Sequence, residues 1–200
     1  MAKTLDKRWL ALVILCLGDL MIVLDMTVVN VALPSIRTDL GFSETSLVWV
    51  INAYMLTFSG FLLLGGRLGD LFGNRKVFLY GIGVFTIASF LCGVATSQWM
   101  LVGARAIQGL GGAVFSAVAL AIVINLFTDP DERARAMGFW GFVAAGGGAI
   151  GVLVGGVLTG TFDWHWIFLV NIPVGFGIFL LCLYLLPIVT ETTNSAMNSS

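Results

Sequence analysis

At 200 residues the chain has the length of one ordinary domain, yet 58% of it is hydrophobic, only 10% is charged, and its mean hydropathy is +1.01. A water-soluble domain carries roughly 25% charged residues, so this chain cannot cover its apolar surface against water and lipid must be its main solvent. The net charge of -1 excludes the basic footprint of a nucleic-acid binder or a cationic surface peptide.

A bilayer core about 30 Å thick is crossed by about 20 apolar helical residues. Six stretches qualify, roughly Trp9–Leu33, Leu47–Leu64, Val77–Ala95, Met100–Phe127, Met137–Phe162 and Trp166–Pro187. The first could be mistaken for a secretory leader, because Lys3, Lys7 and Arg8 precede it. Its apolar run from Trp9 to Ala32 is longer than the about 7–15 residues of a leader core, and it carries Asp19 and Asp25, so it reads as a retained span. Pro34 to Glu44, Arg67 to Lys76, Thr96 to Trp99, Thr128 to Arg135 and Phe162 to His165 read as the five connections. With the N-terminus in the cytoplasm, Lys3, Lys7, Arg8, Arg67, Arg75, Lys76, Arg133 and Arg135 all fall inside, which is eight of ten basic residues. The positive-inside bias therefore predicts a multi-pass protein of the cell membrane with both termini cytoplasmic. Trp49, Trp99, Trp164 and Trp166 fall where an interfacial aromatic belt is expected. Cys16, Cys92 and Cys182 lie in apolar runs and read as packed thiols, since their odd number and spacing fit no metal site.

An ionised side chain within the bilayer costs at least about 2.5–3.5 kcal/mol, which makes it a functional candidate. In span one, Gly18, Ile22, Asp25, Val29 and Ala32 share a helical face, so Asp25 points into the bundle. Removing a carboxylate from water favours its protonated form, and Asp25 is accordingly a candidate proton carrier. Asp19 points about 120° away on the wheel and, with Asn30, reads as a structural polar stripe. The Arg67 to Lys76 connection, with Gly66, Gly69, Asp70 and Gly73, reads as a tight charged turn in which Asp70 caps a helix or pairs with a base. Near the start of span four, Arg105 stays charged at any relevant pH; it can hold a carboxylate ionised until a proton competes. In span five, Gly147, Gly151 and Gly155 fall on one face and Gly156 and Gly160 on a neighbouring stripe, where small residues let helices approach closely. There is no nucleophile–base pair, phosphate loop or metal cluster, so an enzyme is not expected.

Five segments in register resemble the major facilitator superfamily, in its fourteen-span drug:proton antiporter branch. They are Leu24 to Pro34 in span one, Gly66 to Lys76 after span two, Arg105 to Gly112 in span four, Gly147 to Gly156 in span five, and Trp164 to Pro173 leading into span six. The resemblance covers about residues 8 to 188. It implies an all-α membrane fold of six transmembrane helices arranged as two inverted three-helix repeats, half of the family's fold. It divides the chain into a cytoplasmic N-terminus (1–8), a transporter bundle (9–188) and a polar tail (189–200) that reads as disordered or a truncation end.

The resemblance further implies export of hydrophobic or cationic drugs and metabolites, with a proton gradient as the coupling ion and no cofactor. Asp25 and Arg105 would carry proton coupling. Gly66, Gly69, Asp70, Gly73 and Arg75 would form a cytoplasmic gate, and Gly147, Gly151, Gly155 and Gly156 the antiporter-motif packing. Asp25, Ile22, Asn30 and Gln108 would line a substrate cavity. The expected partners are small amphipathic substrates, the lipid bilayer, and a C-terminal half or a second copy; nucleic acid is not among them. Val152 stands where the family has a proline, and Asn74 and His165 where arginine is common. The other reading is a truncated six-span relative that is regulatory, dimeric or inactive.

Overall fold

In the computed structural model the backbone is described for residues 2–197 and side-chain surroundings for 7–184. The elements are α1 (Ala2–Leu40), α2 (Glu44–Leu47), α3 (Trp49–Phe72), α4 (Asn74–Gly93), α5 (Gln98–Leu126), α6 (Pro130–Thr161), α7 (Trp166–Leu169) and α8 (Asn171–Met197). No strand occurs among the described residues. Six helical segments are long and apolar enough to cross a membrane: α1, α2–α3, α4, α5, α6 and α7–α8. These are the six expected spans.

Their ends differ from expectation in instructive ways. The helix of span one runs through Pro34 to Leu40 and stops at Gly41, whose φ of +67° is a left-handed helix exit that suits glycine. The connection expected from Arg67 to Lys76 is helical up to Phe72 and again from Asn74. Only Gly73, at φ +90°, breaks it. Of the glycines that read as turn-formers, Gly69 instead serves close packing, as does Gly65 before it: Cβ atoms added at Gly65 and Gly69 would collide with Val114 and Val118 of α5. Where capping chemistry was present, the helices obey it. Ser97 accepts from the Met100 amide to start α5. Asp129 accepts from Asp131 and Glu132 at 3.0 Å ahead of Pro130, at the first turn of α6, the position proline favours. The helix of α8 continues past Pro187, and residues 198–200 of the expected tail lie outside the described residues.

The packing pattern is that of two inverted repeats, α1–α3–α4 and α5–α6–α8. The first helix of each repeat receives the second and third helices of the other: α5 lies against α3 and α4, and α1 against α6 and α8. The two first helices touch each other, as do the two third helices, α4 and α8. Consequently α1 and α5 are the most buried spans, while α3 and α6 stay largely uncovered. At the α4–α5 crossing the backbones themselves meet; Cβ atoms at Gly81 and Gly111 would fall 2.7 Å from the Phe115 amide and 2.6 Å from the Phe85 amide.

Apolar side chains divide the interior into two layers. One contains Leu12, Leu15, Ile22, Phe78, Phe85 and Phe115; the other contains Val29, Ala32, Val50, Leu101, Ile167 and Phe168. The end of the bundle next to the first layer is basic. There Arg8 bridges Glu132 at 3.1 Å and donates to the Leu126 carbonyl, and Arg133 donates to Phe127 O at 2.8 Å, so two arginines cap the C-terminus of α5. At the opposite end Gln98 donates to the Leu40 and Gly41 carbonyls. Trp164, expected in an interfacial belt, is 3% exposed there, and its indole N–H donates to Asp39 at 2.9 Å. It belongs to the second apolar layer. Trp49, Trp99 and Trp166 are exposed. Cys16, Cys92 and Cys182 are free and buried.

Candidate functional site

Between the two apolar layers lies one polar layer. On α1, Ile22 belongs to one layer and Val28 to the other, with Asp25 between them. Phe85 and Cys92 bracket Ser89 on α4 in the same way, and Phe168 and Ile178 bracket Asn171. Helical periodicity turns each of these polar residues to the core face of its own helix, at a common depth. Asp25, Ser89, Arg105, Gln108 and Asn171 are all buried, Arg105 to 1% and Asp25 to 2% exposure.

Arg105 and Asp25 form a salt bridge, Nη1 to Oδ2 at 2.5 Å. The same Nη1 donates to Gln108 Oε1 at 2.7 Å, and Nε donates to the Val50 carbonyl at 3.0 Å. Gln108 Nε2 donates to Asp25 Oδ1 at 2.8 Å and to Ser89 Oγ at 2.7 Å. Asn171 Nδ2 reaches Asp25 Oδ1 at 3.3 Å and Ser89 Oγ at 3.1 Å, and the Cys92 thiol donates to Gln108 Oε1. The guanidinium is sandwiched between aromatic faces, 4.3 Å from the Tyr54 ring centre and 5.7 Å from that of Phe168. Positive charge over an aromatic face is stabilised by the ring quadrupole, most strongly where water is excluded. The charges are equal and opposite, so the layer as built is neutral.

Two of the residues singled out in the sequence, Asp25 and Arg105, are thus brought into direct contact, with Gln108 bonded to both. The remaining expected cavity residues separate. Ile22 is buried in the neighbouring apolar layer. Asn30 is exposed and donates back to the Met26 carbonyl, because five residues of helix turn it about 140° from Asp25. Asp25, Ile22 and Gln108 are all buried.

The expected gate residues cluster at the basic end. Gly69 is buried against Asn74 and Val118, whereas Gly66 and Gly73 face open space. Asp70 is exposed and caps no helix, since α3 continues past it. Arg75 Nη2 donates to the Leu183 carbonyl at 3.2 Å. Leu183 precedes Pro187 by four residues, and proline has no N–H to satisfy that carbonyl, so the arginine supplies the missing donor.

In span five, Gly147 rests on Leu20 and Val23, Gly151 on Thr27, and Gly155 on the Val28 backbone, while Gly156 and Gly160 face open space. The first stripe is therefore the α1–α6 contact and the second is not. Sequence reasoning did not single out Ser89, Asn171 or Tyr54 as site residues. A polar side chain in an otherwise apolar membrane run was the available signal for each.

The Major Facilitator Superfamily family model matches residues 15–199. Over 176 residues the chain is 49% identical to the puromycin resistance protein pur8 of Streptomyces alboniger, covering 88% of this chain and 35% of that protein. Over 171 residues it is 46% identical to the cephamycin export protein CmcT of Amycolatopsis lactamdurans, covering 86% of this chain and 35% of that one. The chain thus spans about a third of the length of these curated relatives. Among solved structures, the proton:xylose symporter XylE superposes with a TM-score of 0.79 at 17% identity, over 90% of this chain and 45% of that one, a likeness of fold. With its six helices in two inverted repeats and a family match over most of its length, the chain belongs to the major facilitator superfamily.

Proposed function

We propose that this chain forms the N-terminal bundle of a proton-coupled efflux transporter for hydrophobic or cationic drugs and metabolites. The observation that carries the reading is the buried Asp25–Arg105 pair. A desolvated ion pair is a poor source of stability, and intramembrane charges are retained chiefly where they move ions or substrates. Arg105 cannot release its proton; Asp25 can take one, and in doing so it breaks the pair. The layer then holds an uncompensated cation, and the change of net charge from zero to plus one gives a two-state element on which proton binding can act.

The resistance and export functions named for the puromycin and cephamycin relatives support outward transport of small bioactive compounds. The apolar faces left uncovered on α3 and α6, among them Leu56, Leu63, Phe142 and Leu153, suit lipid or a second bundle. The basic end would face the cytoplasm, in accord with the positive-inside rule, and the bundle would sit in the cell membrane.

The test is Asp25→Asn in the complete protein, assayed in inside-out vesicles with an imposed pH gradient. The expected result is loss of gradient-driven substrate uptake with substrate binding retained. Gradient-driven uptake at the wild-type rate would overturn the reading.

A further inference from the structure

Asp25 is enclosed on every side by its partners, so a proton that reaches it must come through a group able to carry one. Arg105 holds its protons, the amides of Gln108 and Asn171 are fixed donors to Asp25 and Ser89, and the Ser89 hydroxyl is occupied by both amides. One further hydroxyl stands beside the pair. Tyr54 is fully buried, its ring lies against the Arg105 guanidinium and stacks on Phe58. Its hydroxyl has no hydrogen-bond partner among the described residues. A buried phenol normally finds a partner, and an orphaned polar group calls for an explanation.

The direction of that hydroxyl supplies one. It turns toward Gly112, where an added Cβ would lie 2.9 Å from Tyr54 Oη. Gly112 is seven residues beyond Arg105 on α5, about 10 Å closer to the basic end. Because α1 runs the opposite way, Asp19 lies about 9 Å from Asp25 in that same direction. The register agrees, since a Cβ added at Gly18 would lie 3.6 Å from the Phe115 ring. Tyr54 thus spans the depth between the two carboxylates of span one. Asp19 is only partly buried. The charges of Asp25, Arg105 and Asp19 all bear on Tyr54.

We infer that the Tyr54 hydroxyl is a proton relay joining the enclosed Asp25 to Asp19, which serves as the exchange point toward the basic end. The inference rests on the proton-coupled reading above. In the releasing direction the Asp25 O–H breaks as its proton passes to Tyr54 Oη, and the original Tyr54 proton passes to an Asp19 carboxylate oxygen. Tyr54 ends unchanged, Asp25 regains its charge opposite Arg105, and Asp19 becomes the acid that gives its proton to water. Because the Tyr54 hydroxyl has no direct hydrogen-bond partner among the described residues, each transfer crosses a bridging water molecule. Among the described residues, Asp25 and Asp19 from α1 and Arg105 from α5 are the charged groups that act on Tyr54. On α4 the Cys92 thiol is engaged with Gln108, and Asn171 of α8 donates to Asp25 and Ser89.

The experiment is a pH jump on the complete protein, following the carboxylic C=O infrared band that disappears in Asp25→Asn. Tyr54→Phe keeps the ring and removes the hydroxyl. The expected result is protonation of Asp25 slowed on the order of 100-fold, the scale of a positioned proton-transfer group, with an unchanged end-point spectrum. Asp19→Asn should slow it comparably, and the two changes together should add little, because they lie on one path. A wild-type protonation rate in Tyr54→Phe, or rate losses that multiply in the double variant, overturns the relay. Gradient-driven transport by the wild type tests the proton-coupled reading separately, and its absence would remove that reading whatever the infrared rates.

Discussion

The energetics of the polar layer can be tested by dismantling its ion pair one member at a time. Three donors converge on the Asp25 carboxylate: Arg105 at 2.5 Å, Gln108 at 2.8 Å and Asn171 at 3.3 Å. Asp25→Asn keeps the shape but replaces one oxygen with a second donor facing those donors. It removes a charge-assisted bond of about 1.5–3 kcal/mol and strands a guanidinium at 1% exposure. Breaking a buried pair by removing one partner costs about 3–5 kcal/mol, and the same range applies to Arg105→Gln. If the two costs were independent, the double variant would lose about 6–10 kcal/mol. Because it carries no buried charge, we expect it to lose about 3 kcal/mol or less, a coupling of at least about 3 kcal/mol. The assay is denaturant or thermal unfolding in micelles, followed through the six tryptophans. Ordinary hydrogen bonds between membrane helices couple by about 0.6 kcal/mol on average. A measured coupling of that size, or additive losses, would refute the claim that a desolvated charge dominates the layer.

Three other expectations concern the frame around it. In α5, Gly111→Ala should destabilise by about 1–3 kcal/mol as an overpacked backbone crossing. Gly103→Ala in the same helix faces open space and should be neutral or stabilise by about 0.4–1 kcal/mol; equal effects on melting temperature would contradict the crossing. Arg75→Ala should cost about 0.5–1 kcal/mol by exposing the Leu183 carbonyl. That cost should shrink in a Pro187→Ala background, where the helix can supply its own N–H; an unchanged cost in chemical unfolding would show that the carbonyl is not the reason for the contact. Cysteine placed at Asp131 should react with an impermeant maleimide from the cytoplasmic side only, and one at Thr45 from the outside only. The reverse pattern would invert the topology inferred from the basic end.

The six spans were legible in the sequence because a membrane demands uninterrupted apolar length; charge bias predicts their direction. Helix ends were less legible. Gly66 to Gly73 has the composition of a turn, yet the helix persists to Phe72 and breaks only at Gly73, with Gly69 becoming a contact surface. Asp25 and Arg105 each stood out for their cost in the bilayer, yet their pairing joins positions 80 residues apart and depends on how α1 and α5 cross. Asn171 and Ser89 carried the same signal more faintly, since an uncharged amide or hydroxyl is cheaper to bury than a charge. Trp164 was misplaced because an aromatic near a span end is usually interfacial; Asp39, at the last turn of an unexpectedly long α1, gives its indole a buried partner.

One consequence separates α6 from every other span. Side chains or carbonyls of α1, α3, α4, α5 and α8 meet in the polar layer, so a change of charge at Asp25 is felt by five helices together. Among the described residues α6 contributes nothing to it. Its link to α1 is the stripe of Gly147, Gly151 and Gly155, with Gly155 3.1 Å from the Val28 Cα by way of an added Cβ, a surface without directional bonds that can slide. The two properties should therefore separate under mutation. Gly155→Val, which must push α6 from α1, is expected to lower stability by about 1–3 kcal/mol and to slow substrate exchange. It should leave the pH dependence of the Asp25 infrared band where it was. Asn171→Ala should do the opposite, moving that pH dependence while leaving the α1–α6 contact, read by cross-linking cysteines at Val23 and Gly148, intact. If Gly155→Val moves the band as much as Asn171→Ala does, then α6 is coupled to the charged layer through α1 itself, and the glycine stripe transmits rather than isolates.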